Sequence, residues 1–393
     1  MSQSTEKIRA LVVDDSALMR NLVSRMLEAA GDVRVVATAM NGEFALQKIE
    51  RLEPDVVVLD IEMPVMNGIE FLQERRKRSI DVPVVVLSSV ARKGARVTMD
   101  ALALGAADFV TKPSGSVSHD IVRVEAQVVE LVRAYGRQHR NRKGLGTVDR
   151  PEGTAPPTVE PHARASGTRP PARARPAKPA PAAPTVPEAP ARVTPLVEPG
   201  RPEVVAIGIS TGGPNALRKV FAELDADLPV PVLVVQHMPA GFTAEFARSL
   251  DRVCALTVRE AEHGMAVRPG NVIIAPGNYH LGVVRNSDAV TLHVTQDDPR
   301  NGHRPSADVL FETVAEVYGN HAVGVIMTGM GRDGSAGLAK LYERGGMTIG
   351  QDEASSVVYG MPKVAYELGY VRKQVALHEI AGAISEAARA TYA

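Results

Sequence analysis

Apolar positions along this chain form two alternating series, separated by a long stretch with no period at all. In the first series, short and mostly apolar runs at Ile8–Val13, Val33–Ala37, Val56–Leu59, Val84–Leu87 and Asp108–Val110 read as strands. Helical periods lie between them. In Ser16–Ala30, Leu18, Leu22, Val23, Met26 and Leu27 share one face and Gly31 ends the segment. Glu43–Leu52, Gly68–Arg78, Arg96–Leu104 and His119–Tyr135 continue the pattern. Strands this apolar must be covered on both faces, which predicts a parallel sheet between layers of helices.

The pattern collapses from about Arg140 to Gly200, where Pro, Ala, Arg, Thr and Glu dominate and no aromatic residue occurs. Such a segment cannot bury enough apolar area to offset its ordering entropy, so 136–200 reads as a Pro-rich flexible linker between domains over 1–135 and 201–393. The second series has strand candidates at Val204–Ile207, Val230–Val235, Leu256–Val258, Val272–Ala275, Val290–Val294 and Ala322–Met327, with an antiparallel ribbon around His280–Val294. It predicts a second α/β domain of three layers, α/β/α, with a largely parallel, Rossmann-like sheet.

Composition narrows the field. The 393 residues suit two to three domains, and a formal net charge of zero supplies no global field for nucleic acid or an anionic membrane. A single cysteine, Cys254, excludes an intrachain disulfide framework and a Cys-based zinc site. The N-terminus lacks the basic flank and apolar core of a signal peptide, and no run approaches a membrane span. The expectation is a cytoplasmic chain without membrane insertion or nucleic-acid partner.

The second half opens on Gly208-Ile209-Ser210-Thr211-Gly212, the G-x-S-x-G spacing of a nucleophile elbow, after an apolar strand and before Pro214 in the first turn of a helix. A serine needs a base and a group to orient it. The other readings of the segment are a βα turn that cradles phosphate and a plain tight turn. Candidates for the base are His237, His263, His280, His293, His303 and His321. His237 leads, because it follows a strongly apolar strand just as Ser210 does. His263, His293 and His321 read as structural or solvated, whereas His280 and His303 are candidates to line a substrate cleft. Asp333 follows the strand Ala322–Met327, which would deliver it to the same sheet edge. An N-cap to the helix Ala336–Glu343 is its competing role. The order Ser, His, Asp differs from that of α/β-hydrolases, and G-x-G-x-x-G is not met, so neither of those folds is expected.

In the first half, strands end in polar residues: Asp14 and Asp15, Asp60, Ser88, and Lys112 after Thr111. The carboxyl ends of strands border the ligand crevice of an open α/β sheet. Three carboxylates there suit a shared hard cation such as Mg²⁺, which leaves Asp60 placed to attack an activated phosphoryl group. Helix capping by Asp14 and Asp15, with Lys112 a solvated strand end, is the structural alternative.

Val-Val-Asp-Asp-Ser (12–16), Leu-Asp-Ile-Glu-Met-Pro-Val-Met-Asn-Gly (59–68), Leu-Ser-Ser (87–89) and Gly-Ala-Ala-Asp-Phe-Val-Thr-Lys-Pro (105–113) resemble a response-regulator receiver domain. That family implies a flavodoxin-like five-stranded sheet. It also implies phosphorylation of Asp60 by a histidine kinase, and Mg²⁺ held by Asp14, Asp15, Asp60 and the carbonyl of Glu62. Ser88 and Lys112 would sense the phosphate, and Phe109 would be the switch aromatic. Gly-Ile-Ser-Thr-Gly-Gly-Pro (208–214), Gln-His-Met-Pro-Ala-Gly-Phe (236–242), Ala-Pro-Gly-Asn-Tyr-His (275–280), Arg-Pro-Ser-Ala-Asp (304–308) and Met-Thr-Gly-Met-Gly-Arg-Asp-Gly (327–334) are similar to the CheB-type methylesterase domain. Only the long Pro-rich linker departs from that family's pattern.

The joint resemblance implies hydrolysis of glutamyl methyl esters, and deamidation of glutamines, on the cytoplasmic helices of chemoreceptors (methyl-accepting chemotaxis proteins). Ser210, His237 and Asp333 would form the triad, with backbone N–H groups of Thr211 and Met330 as oxyanion donors and no cofactor in the esterase half. The unphosphorylated receiver would cover the cleft, and the chain would act as a monomer. A rival is a non-catalytic regulator whose Gly-rich loops bind nucleotide or a partner.

Overall fold

The computed structural model describes residues 7–89, 92–112, 118–145, 194–195, 197–287 and 289–390. Most of the expected linker lies outside these residues. In the first unit the strands are β1 (Ile8–Val13), β2 (Val33–Ala39), β3 (Val56–Asp60), β4 (Val84–Ser88) and β5 (Asp108–Thr111). They alternate with α1 (Ala17–Ala29), α2 (Gly42–Leu52), α3 (Gly68–Lys77), α4 (Arg92–Ala103) and α5 (Ser118–Arg142). All four strand pairings are parallel, in the order β2-β1-β3-β4-β5. This is the parallel sheet the apolar runs imply and the flavodoxin-like order the receiver resemblance implies, with β1, β3 and β4 almost wholly buried.

The helix expected to end at Tyr135 runs on to Arg142. Tertiary contacts carry it there: His139 and Arg140 are buried, and Arg140 pairs with the buried Asp55 at 3.3 Å.

The second unit holds β6 (Val204–Ile209), β7 (Val232–Gln236), β8 (Thr257–Glu260) and β9 (Asn271–Ile274), the hairpin β10 (His280–Asn286) with β11 (Ala289–Thr295), then β12 (Ala322–Ile326), β13 (Met347–Gln351) and β14 (Lys373–Val375). Its helices are α6 (Gly213–Ala222), α7 (Thr243–Asp251), α8 (Ala307–Tyr318), α9 (Ser335–Glu343), α10 (Met361–Glu367) and α11 (Ile380–Arg389). Seven strands form one parallel sheet, β14-β13-β12-β6-β7-β9-β8, and the hairpin is antiparallel as its alternation suggests.

Strand β7 begins at Val232 rather than Val230, because Pro231 has no N–H for the ladder. The strands β13 and β14 carry little apolar signal, with Thr348, Gly350 and Gln351 in one and Lys373 and Gln374 in the other. Pairing onto the β12 side of the sheet makes them strands.

The helices α8 and α9 pack closely, and Gly337 makes this possible. A Cβ at 337 would lie 2.5 Å from the carbonyl oxygen of Asp308 and 2.8 Å from Cβ of Phe311. Backbone cannot yield as a flexible side chain would, so Gly337→Ala should destabilise the protein by about 1–3 kcal/mol, as overpacking does. Calorimetry should show a thermal midpoint lower by several degrees; an unchanged midpoint would mean the helices tolerate a wider spacing.

Candidate active site

Strand β6 lies between β7 and β12, so whatever follows these three strands meets at one sheet edge. Ile209 and Gln236 are register partners, and Ser210 and His237 take the next step along the same two strands. The His237 N–H donates to the Ile209 carbonyl at 3.1 Å, and the Ser210 N–H to the carbonyl of Thr328, just past β12, at 3.0 Å. Gln236 was not singled out from the sequence. Its buried amide donates to the carbonyls of both Ser210 and His237, at 3.0 and 3.1 Å, and ties the two strand ends together. The available signal was a lone polar residue closing an apolar run.

The loop carrying Met330 approaches from the β12 side, and Gly329 permits this because a Cβ there would fall 2.7 Å from Cβ of Ser210. Among the described residues, neither the Thr211 nor the Met330 N–H donates a hydrogen bond within the protein. The Met330 side chain is 50% exposed.

His237 Nε2 lies 2.8 Å from Asp333 Oδ2, while the buried Nδ1 has no partner among the described residues. A proton on Nε2, shared with the carboxylate, leaves Nδ1 as the basic nitrogen. Asp333 is 1% exposed and collects donors from several elements. These are Ser306 Oγ at 2.6 Å, the Ala307 N–H at 2.6 Å and Asn301 Nδ2 at 3.0 Å. Ala307 opens α8, so the carboxylate rests at a helix N-terminus. Burial works against its charge, but the hydrogen bond and charge of His237, then Ser306 and Asn301, win and hold the acid well below the usual carboxylate range. The helix α9 begins at Ser335, with Gly334 as its N-cap, so capping is not the role of Asp333.

The other histidines separate clearly. His303 stacks on the ring of His237, with centroids 3.9 Å apart and planes 8° from parallel. His280 is buried and structural, with Nε2 on the Asp298 carbonyl and Nδ1 accepting from the Ser306 N–H. His263 and His293 contact each other, and His321 meets the carbonyl of Arg201. Ser306 lies in the Arg-Pro-Ser-Ala-Asp motif and stands at the N-cap of α8, but neither it nor Asn301 was foreseen as a partner of Asp333, because only the fold brings their loop to that carboxylate.

In the first unit, Asp14, Asp15 and Asp60 bring carboxylate oxygens within 4.8 Å of one another. Two of these residues are buried and the charges are partly balanced by Lys112, whose ammonium lies 3.0 Å from Asp14 and 2.9 Å from Asp60. Burial raises the Asp60 carboxyl above its ordinary value, although Lys112 opposes that. An oxygen-only donor set with surplus negative charge fits a small divalent cation. Glu62 is exposed and its side chain is not part of the cluster. Ser88 turns its hydroxyl toward Thr98 of α4.

The two units meet beside Ser210. Asp108 of β5 accepts from the Gly212 N–H at 2.8 Å, at the N-cap of α6. Asn215 on the same helix donates to the carbonyls of Ala106 and Ala107, each at 2.8 Å. Phe109 stacks on Phe242 with centroids 4.9 Å apart, and Phe242 precedes α7 directly after the His237 turn.

The chain is similar to known proteins in both of its units. A family model described as CheB methylesterase matches residues 205–384, and one described as response regulator receiver domain matches residues 10–119. The protein-glutamate methylesterase/protein-glutamine glutaminase of Treponema denticola is 52% identical over 97% of this chain and 98% of its own length. That of Treponema pallidum is 52% identical over 98% of each. The solved CheB methylesterase catalytic domain of Thermotoga maritima is 41% identical, covering 47% of this chain and 98% of its own, with a TM-score of 0.46.

Burial pushes the Asp108 carboxyl up to about 6, against the lowering effect of the Gly212 and Phe109 N–H groups and the Tyr135 hydroxyl. The docked state therefore binds this proton more tightly than an exposed Asp, near 4, would. Its contribution to docking is full below about pH 4 and is lost as pH rises through about 6. Amide exchange at Gly212, normalised for intrinsic rates, should lose protection between about pH 4.5 and 7. Asp108→Asn should flatten that dependence; a flat profile in the native chain would rule the linkage out.

Proposed function

This chain belongs to the CheB methylesterase family, and we propose that it is a phosphorylation-activated protein-glutamate methylesterase and protein-glutamine deamidase. Its substrates are then glutamyl methyl esters and glutamines on the cytoplasmic helices of chemoreceptors, and its phosphodonor is a histidine kinase. The receiver runs to Arg142 rather than 135, because α5 packs on the sheet that far, so the linker spans 143–200 rather than 136–200, and 201–393 act as catalytic domain. Among the described residues no helix is long and apolar enough to cross a membrane, which accords with work in the cytoplasm.

The observation that carries the reading is the His237–Asp333 hydrogen bond, with Nδ1 left without a partner among the described residues, and with His237 and Ser210 following the register partners Gln236 and Ile209. Ser210 Oγ attacks the ester or amide carbonyl as His237 Nδ1 takes its proton, and Asp333 stabilises the resulting imidazolium. The N–H groups of Thr211 and Met330 receive the oxyanion. The tetrahedral intermediate collapses, and His237 returns the proton to the leaving group, which departs as methanol or ammonia. Water, deprotonated by the same imidazole, then hydrolyses the acyl-enzyme and frees glutamate and Ser210.

In the receiver, Asp14, Asp15, Asp60 and the Glu62 carbonyl would hold Mg²⁺, which neutralises charge on the incoming phosphoryl group when bound. Asp60 accepts the phosphoryl. Ser88 then leaves Thr98 for the phosphate oxygens, and Phe109 moves off Phe242 into the space vacated. The contacts of Asp108, Ala106 and Ala107 with α6 support a receiver that restrains the catalytic domain until that happens.

With methylated receptor as substrate, Ser210→Ala should lower methanol release by at least about 10³-fold while Asp60 still accepts phosphate. Appreciable residual hydrolysis would remove Ser210 from the role of nucleophile. Asp60→Asn should keep basal activity and lose all activation by acetyl phosphate. Activation that persists would discard the switch.

A further inference from the structure

A second buried carboxylate stands behind Asp333. Asp308, 3% exposed on the first turn of α8, accepts from the Gly337 N–H of α9 at 2.7 Å. Asn301 sits between the two acids. Its amide donates one proton to Asp308 Oδ2 at 2.7 Å and the other to Asp333 Oδ1 at 3.0 Å. A neutral group with two protons on one nitrogen can serve both carboxylates at once; a hydroxyl has only one to give, and a longer Gln would overreach.

The loop that presents Asn301 is held from several sides. Arg300 and His303 exchange backbone hydrogen bonds at 3.0 and 2.9 Å, and the Arg300 guanidinium binds both oxygens of Glu312. Arg304 reaches Asn278 Oδ1 and the carbonyls of Gln296 and Asp297. Asn301 itself has φ of +51°, a left-handed conformation that Asn accepts better than most residues. The amide is thus delivered to one place by a rigid support.

We propose that Asn301 is a positioning residue for the hydrolysis, keeping two buried carboxylates charged side by side so that Asp333 stays aligned on His237. This rests on the Ser210–His237–Asp333 reading. Asp333 divides its negative charge among Ser306, Ala307, Asn301 and His237. Removing the amide returns part of that charge to His237 and leaves the two acids to repel. The imidazolium is then favoured, so the base needs a higher pH to be free. The other titratable or charged groups nearby are Arg300 on the loop, Glu312 on α8 and Lys340 on α9, joined in one ion-pair chain, His303 over the His237 ring, and His280 of β10, which accepts from the Ser306 N–H. None of these sits between the two carboxylates.

The test uses the full chain and methanol release from methylated receptor, with kcat and KM measured from pH 5 to 9. Asn301→Gly keeps the left-handed backbone and deletes the amide. It should lower kcat about tenfold or more, well short of the ~10⁴-fold that losing the orienting acid costs, with KM nearly unchanged. The acid limb of kcat/KM should move to higher pH. Asn301→Asp adds a third negative charge and should move the limb further and lower kcat more. Ser210→Ala runs alongside: if it stays active, the catalytic reading itself is lost. If Ser210→Ala is dead while both Asn301 variants keep the native acid limb, the inference about Asn301 alone is overturned. Loss of the fold in both variants, seen as lost thermal transitions, overturns it as well, since Asn301 would then be a structural residue.

Discussion

A carboxylate taken out of water must be met by donors, and Asp333 is met from four directions at once. The loop before α8 supplies Asn301 and Ser306, the first turn of α8 supplies an N–H, and the strand-end turn after β7 supplies His237. Each donor belongs to an element anchored elsewhere in the domain. The buried charge therefore acts as a node that sets where these elements lie relative to one another, and the direction of the His237 ring follows from it. Without that node the imidazole would have no fixed tautomer and Nδ1 no fixed direction.

The same economy of placement governs the junction of the two units. The helix α6 starts three residues after Ser210, with Gly212 as its N-cap, so the positive end of its dipole lies beside the Ser210 turn. The receiver contacts this point through the Asp108 carboxylate and the carbonyls that accept from Asn215. Phe109, meanwhile, reaches the segment that follows His237 through Phe242. Two of the three strand ends at the proposed active site are thus touched from the receiver by a single strand, β5. Asp108 and Phe109 are adjacent residues, so both contacts are carried by one short stretch of β5.

Both sheets place their chemistry at the carboxyl ends of buried parallel strands, which is why the strand-end polar residues could be read so directly. Ser210, His237 and Asp333 each follow an apolar run, as do Asp14, Asp60 and Ser88, and the structure gathers each set at one edge. Residues in irregular backbone left no such trace. Asn301 and Ser306 lie where no period exists to place them, whereas Gln236 closes an apolar run as the other strand-end residues do, and only the pairing of β6 with β7 shows what its amide joins. The strands β13 and β14 were illegible for a related reason: glycine and polar residues near a sheet edge carry too little apolar pattern.

Alternation of apolar runs and helical periods was enough to determine two parallel α/β units and the polar residues at their strand ends, and the motifs around those residues carried the resemblance to a family. Those features are local, since burial on both faces of a strand is written in consecutive residues. The partners of Asp333, the ring stacked on His237, the continuation of α5 to Arg142 and the contact of Asp108 with α6 were decided only by tertiary structure. Each joins residues distant along the chain, and their meeting depends on how whole elements pack rather than on any pattern within one of them.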